Sequence, residues 1–367
     1  MKSQRHLLIV TEPGATYSNL KRAFAYSRFF AGHPQWSVEY VDRNAPPSPA
    51  RAFIGKVARR VMRRLGVAPR RRPAHRLSSR DRAILERART ADVVYFLKTP
   101  APDLQTRIIK LGGPRVVLDV NDALWLPYHR RVGFDRLEEV LVAAHGIICE
   151  NPLVAGHVRQ YNARVEVVPD CVRLDIFDAQ RDRVVRDPAK VRLGWIGSPA
   201  NGGFLYAIWE PLEKLFARHP HLELRVVGAG APHLPHFEKV RWSSTLAYDH
   251  AEMAREALAM DIGLYPLFHV EDSLARGTAK AVIYMAAGAV AVCENIGENA
   301  RLIRDGVNGV LAHGPDEWLA KLDWLVTHPD ERRRIGAAGL ETIRTELPDR
   351  VCFERLVAAL NTFVDAK

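Results

Sequence analysis

The sequence has no apolar run approaching the ~20 residues that a helix needs to cross a bilayer. Its start, Met1-Lys-Ser-Gln-Arg-His6, leads only into Leu7-Leu-Ile-Val10. That run is strand-sized and lacks a small-residue cleavage site, so no secretory leader is read. Cysteine is scarce. Cys149, Cys171, Cys293 and Cys352 lie far apart with no CxxC pair, which argues against a zinc site or a redox motif and for buried free thiols. No tandem repeat is evident. These absences place the expected protein in the cytoplasm, with no metal site.

What is present is a chain of 367 residues, too long for one ordinary open-sheet domain and suited to two. An apolar share of 47% and a charged share of 26% fit a soluble globular protein, so either half can bury its own core. The net charge of +11 is not spread evenly. Residues 51–90 hold 14 Lys/Arg against 2 Asp/Glu, which leaves the rest of the chain near neutral. A basic segment needs explaining, not a basic protein.

Short β-branched runs separated by helical segments fill the first half: His6–Val10, Trp36–Val41, Asp92–Leu97, Arg115–Val120, Gly146–Cys149 and Val165–Val168. A helix is expected over Asn19–Phe30. Arg173–Lys190 reads as a polar linker or domain edge. The pattern restarts with strands at Val191–Ile196, Leu222–Val227, Asp261–Tyr265 and Ala289–Cys293. An amphipathic helix is expected over Phe204–Ala217, with others over His250–Ala259, Ala279–Ala287, Pro315–Thr327, Asp330–Thr345 and Arg350–Val364. This alternation predicts an α/β protein with doubly wound parallel sheets. The expected units are an N-terminal Rossmann-like domain, 1–175, and a C-terminal one, 176–349. The last helix, 350–367, is expected to be free to cross back to the first domain. Ligands of such sheets sit at strand carboxyl ends, so the cleft between the domains is the expected site.

Three segments carry candidate chemistry. In Gly194-Trp-Ile-Gly197-Ser198-Pro-Ala-Asn-Gly202-Gly203 a strand runs through small residues into a helix. Glycines allow close approach of a ligand, and free N–H groups at a helix start favour a phosphate. The motif is neither GxGxxG nor a P-loop, and a plain tight turn is the alternative. Gly228-Ala-Gly230 closes the next strand in the same way. In the second segment, Arg276 to Gly288, Thr278 reads as an N-cap and Gly288 as a C-cap. Lys280 then sits in the first turn, where a cation opposes the helix dipole. With Arg276 it can clamp a diphosphate, and two solvated basic residues are the alternative. In the third, Asn121 and Asp122 follow a strand end, where catalytic groups belong, with an Asx turn as the alternative.

These segments, with Asp261-Ile-Gly-Leu-Tyr-Pro-Leu267, Asp305-Gly-Val-Asn-Gly309, Leu118–Trp125 and Val167-Val-Pro-Asp170, follow in order the motifs of glycosyltransferase family 4. The chain resembles that family over most of its length. The resemblance implies the GT-B fold, two Rossmann-like domains facing a cleft. It implies retaining transfer from a nucleotide-diphosphate sugar, with no metal or other cofactor. Lys280 matches the family's lysine at the helix start and Arg276 its upstream basic residue; both would neutralise the leaving diphosphate. Asn121 and Asp122 fall where many members carry a His–Asp pair. Gly197, Ser198, Gly228, Gly230, Trp242, Thr278 and Glu298 join Arg276 and Lys280 as donor-side expectations, and Gly14, Asp119 and Trp125 are assigned to the acceptor side. The chain departs from the pattern at Ala275 and Ile283, where the family places glutamates, and at Arg301, where it places an acidic residue. Its basic pair is missing from Ser198–Phe204. Glu271, Asp272 or Glu298 can substitute.

In the basic segment Phe53, Val57, Val61 and Leu65 recur at helical spacing, and Lys56, Arg59, Arg60, Arg63 and Arg64 fill the other face. Residues 51–72 therefore suit an anionic membrane surface; a helix packed on the N-terminal sheet is the alternative. No reader motif points to nucleic acid. The leading expectation is a glycosyltransferase acting on a glycan or lipid-linked acceptor at the inner face of the cytoplasmic membrane. The rivals are a nucleotide-sugar epimerase or phosphorylase, and a catalytically silent sugar-binding partner.

Overall fold

The computed structural model describes residues 4–11, 25–43, 77–99, 101–129, 134–187, 189–228, 240–243 and 250–365. Strands β1 Arg5–Thr11, β2 Trp36–Asp42, β3 Val93–Leu97, β4 Arg115–Val120, β5 Gly146–Cys149 and β6 Val165–Val167 form one sheet, in the order β2-β1-β3-β4-β5-β6. Strands β7 Val191–Ile196, β8 Leu222–Val227, β9 Val240–Ser243, β10 Ile262–Tyr265, β11 Val290–Glu294 and β12 Val310–Ala312 form the second, in the order β12-β11-β10-β7-β8-β9. Every pairing is parallel. Parallel sheets are covered on both faces, which is why β3, β5, β10 and β11 are buried at every position. The two doubly wound sheets expected from the alternation are therefore present. The strand order reverses between β1 and β3 in the first sheet and between β7 and β10 in the second. At such a point the chain leaves in opposite directions and opens a crevice at the carboxyl ends.

Two local expectations are corrected. Arg173–Lys190 is not simply a linker: Leu174–Arg181 is a helix whose Phe177 is buried in the core of the second sheet. Phe204–Ala217 is not one helix. Pro199–Ile208 forms a 3-10 helix, and the α-helix begins only at Trp209 and runs to Arg218. Gly202 and Gly203 disfavour α-helix, so the α-helical N-terminus stands well past the glycine turn. Strands β9 and β12, of four and three residues, carry too little apolar sequence to stand out. Residues 25–30 are helical, while the rest of Asn19–Phe30 and the whole of 53–65, including Lys56, Arg59, Arg60, Arg63 and Arg64, lie outside the described residues. All four cysteines are buried free thiols. Among the described residues no helix is long and apolar enough to cross a membrane.

The last helix, Asp349–Asp365, packs on the first sheet. Its Phe353, Leu356, Leu360 and Phe363 share a core with Leu7, Ile9 and Tyr95. Ion pairs fasten both of its ends, Arg28 to Asp349 and Arg5 to Asp365, the latter at 2.6 Å. Arg28 also pairs with Asp175 at 2.8 Å. The Phe363 ring occupies the space that a Cβ on Gly146 would need. Gly146→Ala should therefore overpack this seam and cost about 1–3 kcal/mol. The check is the urea midpoint, which should fall and be partly restored by adding Phe363→Leu.

Candidate active site

The crevice of the second sheet is built around the helix Ala279–Ala287. Tyr284 on this helix reaches into the reversal point. Its hydroxyl accepts from the Ile196 N–H at 2.9 Å and donates to the Leu264 carbonyl at 3.1 Å, stitching β7 to β10. A side chain at Gly263 would collide with the Tyr284 ring, so glycine is required there. The helix ends as expected at Gly288, with φ +76°. Pinned in this way, its first turn holds Lys280 over the ends of β7 and β10. The Lys280 Nζ lies 4.7 Å from the centroid of the Tyr265 ring and 5.6 Å from that of Trp195. Aromatic faces attract a cation but do not cancel its charge. Burial, and then repulsion from Arg276, push the Lys280 amine down to about 7 despite the attraction of Asp122. No carboxylate among the described residues pairs with it.

Arg276 is better provided for. Its Nη2 is 2.6 Å from Asp272 Oδ2, its Nη1 donates to Asn201 Oδ1 at 3.3 Å, and its guanidinium lies 4.8 Å from the Phe204 ring centroid. A hydrogen bond from His129, and then the charge of Arg276, hold the Asp272 carboxyl down at about 2. Arg276 is thus ion-paired before any anion arrives. Thr278 occupies the expected N-cap position of its helix, where its side chain makes no capping hydrogen bond. Glu298 is half-buried and burial raises its pKa. Gly197 packs on the Trp195 ring, Ser198 precedes the 3-10 helix without capping it, and Gly228 turns with φ +84°. Gly14 and Gly230 lie outside the described residues; Trp242 is in β9.

The carboxyl ends of the first sheet face this crevice. Lys98 follows β3 with φ 47°, a left-handed conformation uncommon for a side-chain-bearing residue. Its Nζ donates to Asp122 Oδ2, just past β4. Burial opposes both charges, yet each outweighs it for the other. The Lys98 pKa is raised and the Asp122 pKa is lowered. Asn121 is 1% exposed, and neither atom of its amide has a partner among the described residues. Asp119 is 3% exposed and accepts from the Tyr95 hydroxyl, a contact that ties β4 to β3. Trp125 stacks on His157, with ring centroids 3.7 Å apart, and donates from Nε1 to Glu271 Oε1 at 3.0 Å. His129 stands 3.6 Å from Asp272, and Asn151 donates to the Ala275 carbonyl at 3.0 Å. Glu150 packs where a side chain on Gly277 would sit. These contacts bring Asn121, Asp122, Trp125, Arg276 and Lys280 to one cleft.

Lys98, His129, Glu150, Trp195 and Tyr265 were missed by sequence reasoning. Lys98 and Glu150 each stand immediately after a strand, a position that the carboxyl-end rule marks. Tyr265 ends β10 and carries a like signal, whereas Trp195 lies inside β7 and does not.

Residues 209–348 match the family described as Glycosyl transferase-like. No curated protein matches the chain. Solved structures resemble it along its whole length. HepE of Anabaena, in complex with UDP-glucose, is 13% identical, with a TM-score of 0.68 over 97% of this chain and 99% of that one. Sucrose-phosphate synthase of Thermosynechococcus elongatus is 14% identical, with a TM-score of 0.68 over 99% and 100%. A putative UDP-N-acetylglucosamine 2-epimerase of Listeria monocytogenes is 10% identical, with a TM-score of 0.61 over 100% and 98%. The fold is GT-B: two Rossmann-like domains flank a cleft.

Removing one member of a buried ion pair strands the other. Asp122→Asn should therefore destabilise the protein by about 3–5 kcal/mol, because the buried Lys98 loses its hydrogen-bonded counter-ion. Denaturant unfolding checks this, and Lys98→Met in the same chain should recover part of the loss.

Proposed function

We propose that the chain is a glycosyltransferase that moves a sugar from a nucleotide-diphosphate sugar to a glycan or lipid-linked acceptor, with retention and without a catalytic metal. The observation that carries this reading is Lys280, an amine held at the reversal point of the second sheet with no paired carboxylate among the described residues. A diphosphate supplies the missing charge. The bond between the sugar C1 and the β-phosphate oxygen breaks, the acceptor hydroxyl oxygen bonds to C1, and its proton passes to the departing diphosphate oxygen, so that the nucleotide leaves as its diphosphate. Fixed positive charge at the leaving oxygen is the principal electrostatic task of such a site. Arg276 assists, poised by Asp272. The C-terminal domain, 176–349, holds the donor, and the N-terminal domain, 1–175, presents the acceptor. A donor group completes the Asn121 amide, whose buried, unpartnered atoms are costly in an empty cleft. Residues 51–72 carry the enzyme to an anionic membrane face.

A second reading, a nucleotide-sugar epimerase, draws on the likeness to the putative epimerase of Listeria and on Ala275 and Ile283 at the positions of the family's glutamates. Analysis of products with and without an acceptor separates the two. A silent sugar-binding partner predicts nucleotide binding with no release of diphosphate.

Lys280→Met should lower turnover by about 10²–10³-fold, the usual cost of losing a transition-state charge partner. It should not lower thermal stability, since it removes an uncompensated cation. Near-normal turnover with the true donor sinks the assignment. A thermal-shift screen of UDP-, GDP-, ADP- and dTDP-sugars identifies that donor, because a ligand at 100 times its dissociation constant adds about 2.7 kcal/mol.

The pH dependence has a definite sign. Folded Lys280 titrates at about 7, against 10.5 when unperturbed. Between these values the unfolded chain holds the proton that the folded one has lost. This group's penalty is therefore constant below pH 7 and is relieved as pH rises. A bound diphosphate raises the amine's pKa again. Binding of a nucleotide-diphosphate sugar, whose phosphates do not titrate in this range, should take up close to one proton at pH 8 and almost none at pH 6. Calorimetry in buffers of different ionisation enthalpy measures the difference, and Lys280→Met should abolish it.

A further inference from the structure

The carboxyl ends of β10, β11 and β12 bring together three side chains that take no part in the arrangement above. Glu294 is the last residue of β11 and is 3% exposed. His269 lies in the loop after β10, and His313 directly follows β12. Glu294 Oε1 is 2.9 Å from His269 Nε2 and 3.5 Å from His313 Nδ1, and the two nitrogens are 3.1 Å apart. Three lone-pair-bearing atoms thus form one small triangle. A tetrahedral ion with bonds of ~2.0–2.2 Å spaces its ligands about 3.3–3.6 Å apart, so the triangle needs an expansion of only a few tenths of an ångström to accept one.

Hydrogen bonds alone serve this triangle poorly. One hydrogen on His269 Nε2 cannot be shared well between Glu294 and His313, and the third edge requires a second proton. A single cation satisfies all three atoms. The supporting contacts suit a ligand set. Trp318 Nε1 donates to Glu294 Oε2 at 2.8 Å, fixing the carboxylate with Oε1 free for the triangle. The Glu317 carboxylate accepts from the His313 backbone N–H at 3.0 Å and holds that turn. Such outer contacts orient metal ligands. The imidazoles are 46% and 61% exposed, so an ion has an entry path.

We propose that His269, Glu294 and His313 bind one divalent transition-metal ion of the zinc class, with its fourth position open to water. Two imidazoles and a carboxylate suit zinc better than magnesium or calcium, which prefer oxygen ligands. The site joins the ends of three neighbouring strands. It holds the base of the segment that continues to Glu271, Asp272 and Arg276. This role is structural and separate from sugar transfer, so it does not depend on the reading above.

The test uses the untagged full-length chain, stripped with a chelator and titrated first with Co(II) and then with Zn(II). One equivalent of Co(II) should bind with the visible bands of a four-coordinate ion, and Zn(II) should displace it. His313→Ala and His269→Ala, both at exposed positions, should each weaken Zn(II) binding at least about tenfold, while His328→Ala should not. Trp318→Phe, which leaves all three ligands in place, should weaken it by about 10–100-fold. Failure to bind an equivalent of either ion overturns the proposal and leaves a proton-bridged cluster. So does binding of unchanged affinity in both histidine variants.

Discussion

Lys98 and Asp122 emerge from the carboxyl ends of neighbouring strands and neutralise each other where water is scarce. Across the cleft Arg276 and Asp272 do the same, and His129 from the first domain reaches Asp272. The facing edges of two parallel sheets therefore carry several charges in a confined space, most of them already matched. This matching isolates Lys280. Its charge is conspicuous because its neighbours have spent theirs on one another. A cleft lined only with unpaired cations would attract any anion and would repel itself open. A cleft in which one amine among the described residues stands unmatched, between two aromatic rings, is a more selective receptor.

The geometry rests on small details of packing. Gly263 has no side chain, so the Tyr284 ring fits against β10, and its hydroxyl joins the two strands at which the sheet order reverses. The helix that carries Tyr284 also carries Lys280 one turn earlier. The amine's position is thus set by a tyrosine that is itself fully buried. Gly277 has the same relation to Glu150: bare backbone lets a buried carboxylate of one domain lie against the other.

Much of the fold was legible in the sequence because strands buried on both faces leave continuous apolar runs. Strands β1, β3, β4 and β11 carry such a run and β2 and β8 alternate apolar with polar residues, whereas β9 and β12 are too short to stand out. The 3-10 helix at Pro199–Ile208 was hidden because its amphipathic pattern continues into the α-helix at Trp209. Lys280 and Arg276 were legible through local context and resemblance. Their partners were not, because ion pairs join residues far apart in the chain, as with His129 and Asp272. The same holds for His269, Glu294 and His313, which have no recognisable spacing and meet only because β10, β11 and β12 lie side by side. Asp119 and Asn121 show the limit of motif reading. They are two residues apart at the end of one strand, yet one is bonded into the sheet and the other is buried with its amide open.

The chain passes between the domains twice, once after β6 and again before its final helix. Arg28 grips both passages, through Asp175 and Asp349. The two crossings therefore run side by side, held by one side chain. They also make the first half discontinuous in the gene. A chimera that exchanges it between relatives must carry over the C-terminal seventeen-residue helix as well, or the transplanted sheet will arrive with one face bare.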